Sequence, residues 1–496
     1  MRFLLALAVL LNSSLMAMAA EGGNGGGMTV VDLTNYPLSW MVIVALVVAY
    51  GFVVWGEQHH LEKSIPVLIG AGVIWAIVGI VTHLQPDHVI VEQAEFGFEH
   101  SIIEIGELTF FLVTAMTYVV TLQERNVFEM VRYKLLGAGL SQRAIFWATG
   151  LAAFLLSPLL DNLTTALALI SVVIAVGAAT RDRMFVSLAA INLVVAANAG
   201  GAFSPFGDIT TLMVWQAGKV EFFEFFSIFV PSLVNWLVPA VIMSFAIKSS
   251  DVEAYNEPVV LKRGARRMIA LFALTLVMAV SAHIFLELPP VIGMTTGLGF
   301  LMLYGYFLSH HEHEHFEAPV LPDGIQDDML AVLETHYKLK HKPFNPMTSI
   351  KRLEWDTLLF FFGILMAVAG VSQLGFLLKV SEYMYGNLGP TFTNSFVGVL
   401  SAVVDNIPVM SAVLKMDPNM VHGQWMLVTL TAGVGGSLLS VGSAAGVALM
   451  GAAKMENEEG RYVSVYTFMG HLKWTWAVAL GYAASIWVHT LLHQMY

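Results

Sequence analysis

The sequence predicts an all-α polytopic membrane protein made of two inverted-topology repeats, each with a re-entrant hairpin and a glycine-broken transmembrane helix. Three observations carry that prediction. The chain has 496 residues, 57% of them hydrophobic and only 12% charged, where soluble domains carry about a quarter charged. An Asp-Asn pair four residues after a serine stands twice inside a long apolar run, once as Ser157-Pro158-Leu159-Leu160-Asp161-Asn162 and once as Ser401-Ala402-Val403-Val404-Asp405-Asn406. A Gly-Gly-x5-Gly break follows each pair, at Gly200, Gly201 and Gly207 and again at Gly435, Gly436 and Gly442.

Taken in order, residues 1–20 read as a secretory signal. Arg2 is the basic start, Phe3 to Leu11 the apolar core and Ala17-Met18-Ala19 the cleavage site. That core is short of the ~20 residues a span needs, so the mature N-terminus, with its glycine tract, is expected outside. Apolar runs of spanning length then cover Leu38 to Trp55, Ile65 to Val81, Leu108 to Leu122, Ala144 to Val176, Met184 to Trp215 and Phe225 to Ile247. Met268 to Phe285 and Val291 to Leu308 follow, then a polar loop, then Thr357 to Leu374, Asn394 to Leu414, Trp425 to Met450 and Trp474 to Leu492. The segment 126–140 sets apolar Val127, Phe128, Val131 and Leu135 against charged Glu129, Arg132 and Lys134, the pattern of a helix lying along the inner interface. Phe376 to Tyr385 is its expected outer counterpart.

Lysine and arginine set the orientation. If each Asp-Asn run enters and leaves on one side, the inner loops gather the clusters around Arg125 to Arg143, Arg181 and Arg183, Lys262 to Arg267 and Lys338 to Arg352. Only Lys219, Lys379 and Lys415 then face outward. Were Ala144 to Val176 to cross once, the clusters near Arg266 and Arg352 would lie outside. The bias therefore favours two re-entrant hairpins opening to opposite sides, which makes the halves inverted repeats.

An ionisable residue at membrane depth is costly and marks a substrate or proton path. Backbone freed at a glycine break must line a cavity or find partners. The expected cation- and proton-binding residues are Asp161, Asn162, Asp405 and Asn406 of the two pairs and Asn198, Asp208, Ser440 and Ser443 of the breaks, with the six break glycines supplying backbone. Ser204, Thr210, Thr211 and Ser437 cluster at the same breaks. Asp161, Asp208 and Asp405 would share one midplane cavity, and no lysine or arginine lies in the tips or breaks. An anion would be repelled there, whereas a small hard cation is suited by carboxylate, amide, hydroxyl and carbonyl oxygens. Carboxylates withdrawn from water hold protons more tightly, so H⁺ and Na⁺ can compete for one site. That competition suffices for antiport if the site opens to each side only when occupied.

At these residues the chain resembles the ion transporter superfamily, which includes arsenite permeases, dicarboxylate/sodium symporters and NhaD-type sodium/proton antiporters. The likeness is greatest to the NhaD type, over Ser157 to Ile170, Asn198 to Trp215 and Ser401 to Leu414, with Leu358-Leu359-Phe360-Phe361-Phe362-Gly363 opening the second half. The resemblance implies a homodimer in a bacterial inner membrane and an elevator-like motion of a transport domain against a scaffold; on its pattern Asp161, Asn162, Thr164, Thr165, Asn198, Asp405 and Asn406 map to the site, while Asp208 matches Ser443 of the other half. Scaffold helices would occupy 21–140 and 248–389, with an inner loop at 309–352. Transport-domain hairpins and broken helices would occupy 141–247 and 390–496. The dicarboxylate branch has Ser-Asn-Thr at its tips, where this chain has Asp, which disfavours a carboxylate substrate. Arsenite or another small solute is the alternative.

The expected activity is export of Na⁺, with Li⁺ as a further candidate, against entering H⁺. No cofactor and no nucleic-acid partner is expected; the surrounding partner is membrane lipid. With no cysteine, disulfides and thiolate metal sites are excluded. No nucleophile–base pair stands out, so the chain reads as a non-enzyme. His310, His311, His313 and His315, interleaved with Glu312 and Glu314, read as a solvated polar loop, and His59 and His60 as a membrane edge. Glu104 and Glu107 read as residues bounding the third span.

Overall fold

The computed structural model describes residues 32–59, 61–248, 259–314, 344–456 and 461–495. The signal sequence, the glycine tract, His60, His315 and most of the inner loop lie outside them. Among the described residues ten helices are long and apolar enough to cross a membrane, so the chain is an all-α polytopic membrane protein.

The first half contains α1 (Trp40–His59), α2 (Ser64–His83), α3 (His88–Glu124), the short α4 (Val127–Gly137), α5 (Gln142–Leu160), α6 (Asn162–Thr180), α7 (Arg183–Gly201), α8 (Ile209–Gln216) and α9 (Phe229–Ser244). After it come α10 (Ala265–Leu286), α11 (Pro290–Glu314), α12 (Pro346–Lys351), α13 (Trp355–Gln373) and α14 (Phe376–Tyr383). The last part holds α15 (Pro390–Ser401), α16 (Asn406–Met416), α17 (His422–Gly435), α18 (Ala444–Ala452), α19 (Phe468–Leu472) and α20 (Thr475–Leu492). A small antiparallel ribbon, β1 (Lys454–Glu456) with β2 (Tyr462–Ser464), sits between α18 and α19.

The third span is longer than its apolar run. α3 has 37 residues, about 55 Å at 1.5 Å per residue, against a hydrocarbon core of about 30 Å. It continues unbroken through Glu104 and Glu107 because a stripe at helical spacing, Ala94, Gly97, Ser101, Ile105 and Leu108, is buried along it. The two glutamates therefore sit within a helix and not at its end. Gln373 at the end of α13 packs on Gly97 and donates from Nε2 to the Gln93 carbonyl at 3.2 Å.

The unit of two helices meeting at an Asp-Asn tip, followed by a broken helix, occurs twice, as α5 to α8 and as α15 to α18. Its internal contacts recur. Ser157 Oγ donates to the Ala197 carbonyl at 2.7 Å, and Ser401 Oγ to the Ala432 carbonyl at 3.0 Å. At each break the glycines bring backbone against backbone. A Cβ on Gly201 would lie 2.7 Å from the Gly207 carbonyl oxygen, and one on Gly436 would lie 2.6 Å from that of Gly442.

α7 is the most buried span and is apolar nearly all round, as a core helix should be. Its one mid-helix amide is satisfied: Asn192 donates to the Phe146 carbonyl at 2.9 Å and accepts from Trp236 Nε1 at 2.9 Å, bracing α5, α7 and α9. α17 packs on α7 and α8, α16 on α8, and α18 on α6, while α9 packs on α20. A second set of contacts joins α2 to α13 and to α1, α3 to α13 and α11, and α10 to α11.

Candidate functional site

Both tips form for local reasons. α5 stops and α6 starts at a single residue, Asp161, which ends one helix and caps the next. Its Oδ1 accepts from the Thr164 backbone N–H and its Oδ2 from Thr164 Oγ1, both at 2.8 Å. Reversing direction in one residue forces φ 68° and ψ 160° on Asp161, a region that essentially only glycine enters and that costs about 1–3 kcal/mol. The second tip is built differently. Residues 402–405 form a turn between α15 and α16, and Asp405 caps α16 through the Ile407 N–H at 3.2 Å with φ −45°.

The tips meet at the first glycine break. Asp208 is the N-cap of α8, the half-helix after that break, and accepts from the Thr210 N–H and from Thr210 Oγ1, each at 3.0 Å. Asn162 Nδ2, from the first tip, donates to Asp208 Oδ2 at 2.9 Å and to Asn198 Oδ1 at 2.8 Å. Asn406 Nδ2, from the second tip, donates to the same carboxylate at 3.0 and 3.3 Å. Asn198 Nδ2 donates in turn to Ser443 Oγ at 3.1 Å, and Ser443 is the N-cap of α18, the half-helix after the second break. Both tips and both breaks thus belong to one hydrogen-bonded network centred on Asp208.

Asp161, Asn162, Thr164, Asp208, Asp405 and Asn406 line a cavity of about 190 Å³. Its walls include Phe111, Leu160 and Phe361, and it extends to Gln123, Arg352, Glu354 and Thr357 at the end of α3 and the start of α13. Four carboxylates face one guanidinium there, and Arg352 is engaged by Glu124 at 2.8 Å. Asp208 is surrounded by donors on both oxygens, whereas Asp161 and Asp405 use part of their acceptor capacity on helix caps. Oxygen donors so arranged suit a small cation better than an anion.

Not every expected residue reaches the cavity. Asn198 and Ser443 stand behind it within the network. Thr165 and Ser440 are fully buried, outside the lining, and their hydroxyl oxygens have no hydrogen-bond partner among the described residues. The glycines shape the breaks without lining the cavity. Residues outside the expected set also take part. Tyr50 Oη of α1 accepts the Asp405 N–H at 3.2 Å; its only sequence signal is a hydroxyl in an apolar run. His471 of α19 is fully buried, with Nε2 3.0 Å from the Ser437 carbonyl in the second break and Nδ1 2.7 Å from Tyr466 Oη. A carbonyl can only accept, so Nε2 carries the hydrogen and the tyrosine hydroxyl donates to Nδ1.

The comparisons with known proteins agree with this architecture. A family model described as "Citrate transporter" matches residues 40–433. The chain is 48% identical to the Na(+)/H(+) antiporter NhaD of Alkalimonas amylolytica, over 93% of this chain and 92% of that protein. It is 47% identical to the protein of that name from Vibrio cholerae, over 94% of each. The Halomonas elongata NhaD protein is 46% identical over 99% of this chain and 94% of its own. Tip, break and near full-length identity together place this chain in the citrate-transporter family and, within it, among the NhaD-type sodium/proton antiporters.

Proposed function

We propose that this protein is a secondary active transporter that moves Na⁺ out of a bacterial cell in exchange for entering H⁺, with Li⁺ as an alternative cargo. The observation that carries this reading is the convergence of Asp161, Asp208 and Asp405 on one cavity, with the two tip asparagines tied to the central carboxylate. The named activity of its NhaD relatives supports the same exchange. Asp161 and Asp405 are the cation- and proton-exchanging groups. Asp208, saturated with donors, is the clasp that holds the tips in register. Na⁺ binding requires both exchanging carboxylates free of protons, and proton binding expels Na⁺.

The halves are inverted repeats, and each tip is a re-entrant hairpin. The cavity reaches Arg352 and Glu354, the end of the molecule where lysine and arginine gather, so this conformation opens to the cytoplasm. On the opposite side Glu104 of α3 pairs with Lys415 of α16. Helices α5 to α9 and α15 to α20 form the transport body, and α1 to α3, α10, α11 and α13 the scaffold along which it slides. The protein works as a homodimer in the inner membrane. An anionic cargo such as a carboxylate is disfavoured, because the lining is net acidic and its one guanidinium is already engaged.

Proton flux in proteoliposomes, driven in turn by Na⁺, Li⁺, K⁺ and arsenite gradients, tests the proposal. Proton movement coupled to Na⁺ and Li⁺ is expected. Solute flux indifferent to a pH gradient would replace this reading with that of a facilitator.

A further inference from the structure

A second cavity has no part in the exchange described above. It is an open groove of about 810 Å³ between the start of α10, the end of α11 and the amphipathic α4. Lys262, Arg266 and Arg267 line it and are exposed, and none forms an ion pair with a carboxylate among the described residues. Tyr304 of α11 lines the same groove. The lining also has an apolar part open to the surroundings: Phe307 is 60% exposed and Val260 75%.

The groove is held in place, not formed by a loose loop. The Lys262 N–H donates to the Arg125 carbonyl at 3.2 Å, Arg125 Nη1 to the Arg263 carbonyl at 3.3 Å, and Asn126 Nδ2 to the Val260 carbonyl at 3.2 Å. The segment carrying the basic residues is thereby fixed to the corner between α3 and α4. Gly264 then turns the chain into α10 with φ 86°. A Cβ there would come 2.8 Å from Leu308 Cδ2 and 3.0 Å from Tyr304 Oη, so glycine keeps the floor of the groove clear. Arg266 and Arg267 are in the first turn of α10, whose spanning window is the most hydrophobic of the ten. They consequently lie at headgroup depth, with hydrocarbon a turn or two away.

We infer that this groove binds the headgroup of an anionic phospholipid of the inner leaflet. The guanidinium groups of Arg266 and Arg267, the Lys262 ammonium and the Tyr304 hydroxyl receive the phosphodiester, and Phe307 and Val260 flank the glycerol and upper acyl chain. A free phosphate would use the cations and leave the apolar wall uncovered. Basic residues clustered at a helix end on the cytoplasmic side are attracted to anionic lipid, and guanidinium matches phosphate oxygens two at a time.

The test uses the full-length protein, delipidated in detergent, incubated with phosphatidylcholine vesicles with or without phosphatidylglycerol and repurified, with retained lipid measured by mass spectrometry. The wild type is expected to retain phosphatidylglycerol. Arg266→Gln with Arg267→Gln is expected to retain on the order of tenfold less, and Tyr304→Phe an intermediate amount. Arg132→Gln with Lys134→Gln, which removes two charges from α4 outside the groove, is expected to behave as wild type. Equal retention by the Arg266/Arg267 variant would overturn the assignment, as would equal loss in the α4 control. Displacement of the lipid by inorganic phosphate at matching concentration would reduce the groove to a simple anion site.

Discussion

Asn406 and Asp208 are 198 residues apart in sequence, yet one amide nitrogen of Asn406 lies within 3.0 Å of one carboxylate oxygen and 3.3 Å of the other. The first tip makes the equivalent contact through Asn162 at 2.9 Å. One buried carboxylate thus accepts from both tips. Asn406→Ala leaves that carboxylate short of a donor, at a cost of about 1–3 kcal/mol. Exchange in everted vesicles is expected to fall to background and thermal stability to drop, with membrane insertion retained. Wild-type exchange in this variant would remove the clasp from the mechanism.

Asp161 separates strain from chemistry. Asp161→Gly lets the tip adopt its backbone angles without penalty, and a glycine cap costs only a few tenths of a kcal/mol relative to aspartate. Stability in detergent is expected to rise by on the order of 1 kcal/mol while exchange is lost. Asp161→Asn is expected to lose exchange with the strain retained. A glycine variant that exchanges ions normally would show that the carboxylate carries no cargo.

Asp405→Asn keeps a side-chain oxygen for the Ile407 cap, so the second tip is expected to fold. Sodium-driven proton movement is expected to disappear, with unchanged protein levels in the membrane by immunoblot. Retained exchange would leave Asp161 as the sole exchanging carboxylate.

Competition between H⁺ and Na⁺ for the same oxygens fixes a sign. Lowering the pH must raise the Na⁺ concentration for half-maximal exchange, by up to about tenfold per pH unit for each competing proton. Na⁺-dependent fluorescence dequenching across a pH series measures it. A half-maximal concentration that does not change with pH would rule out a shared site.

The pair of Glu104 and Lys415 joins α3 to α16, on opposite sides of the proposed sliding boundary. The chain has no native cysteine, so Glu104→Cys with Lys415→Cys gives a clean target for a bifunctional maleimide. Cross-linking is expected to stop exchange, while each single variant treated alike remains active. Full activity of the cross-linked protein would show that this boundary does not move.

The tips and breaks were legible because a carboxylate in an apolar run is costly and a double glycine within a span is unusual. Both signals are local. What joins them is not local: the clasp on Asp208, the tyrosine hydroxyl of Tyr50 on the second tip and the buried His471 under the second break depend on pairings across tens to hundreds of residues. Helical phase decides that Thr164 faces the cavity and Thr165 does not, although the two are adjacent. The length of α3 was hidden for a similar reason: its first half is buried along a stripe that mixes Ala94, Gly97 and Ser101 with Ile105 and Leu108, which a hydropathy window averages away.

The glycines of the two breaks carry a genetic consequence. Every base change in their codons that alters the amino acid adds a Cβ, and at Gly201 and Gly436 that atom would fall on the carbonyl of the facing strand of chain. Such changes would abort assembly before transport could be measured. Screens for altered ion selectivity should therefore recover variants along the cavity wall and almost none at these crossings.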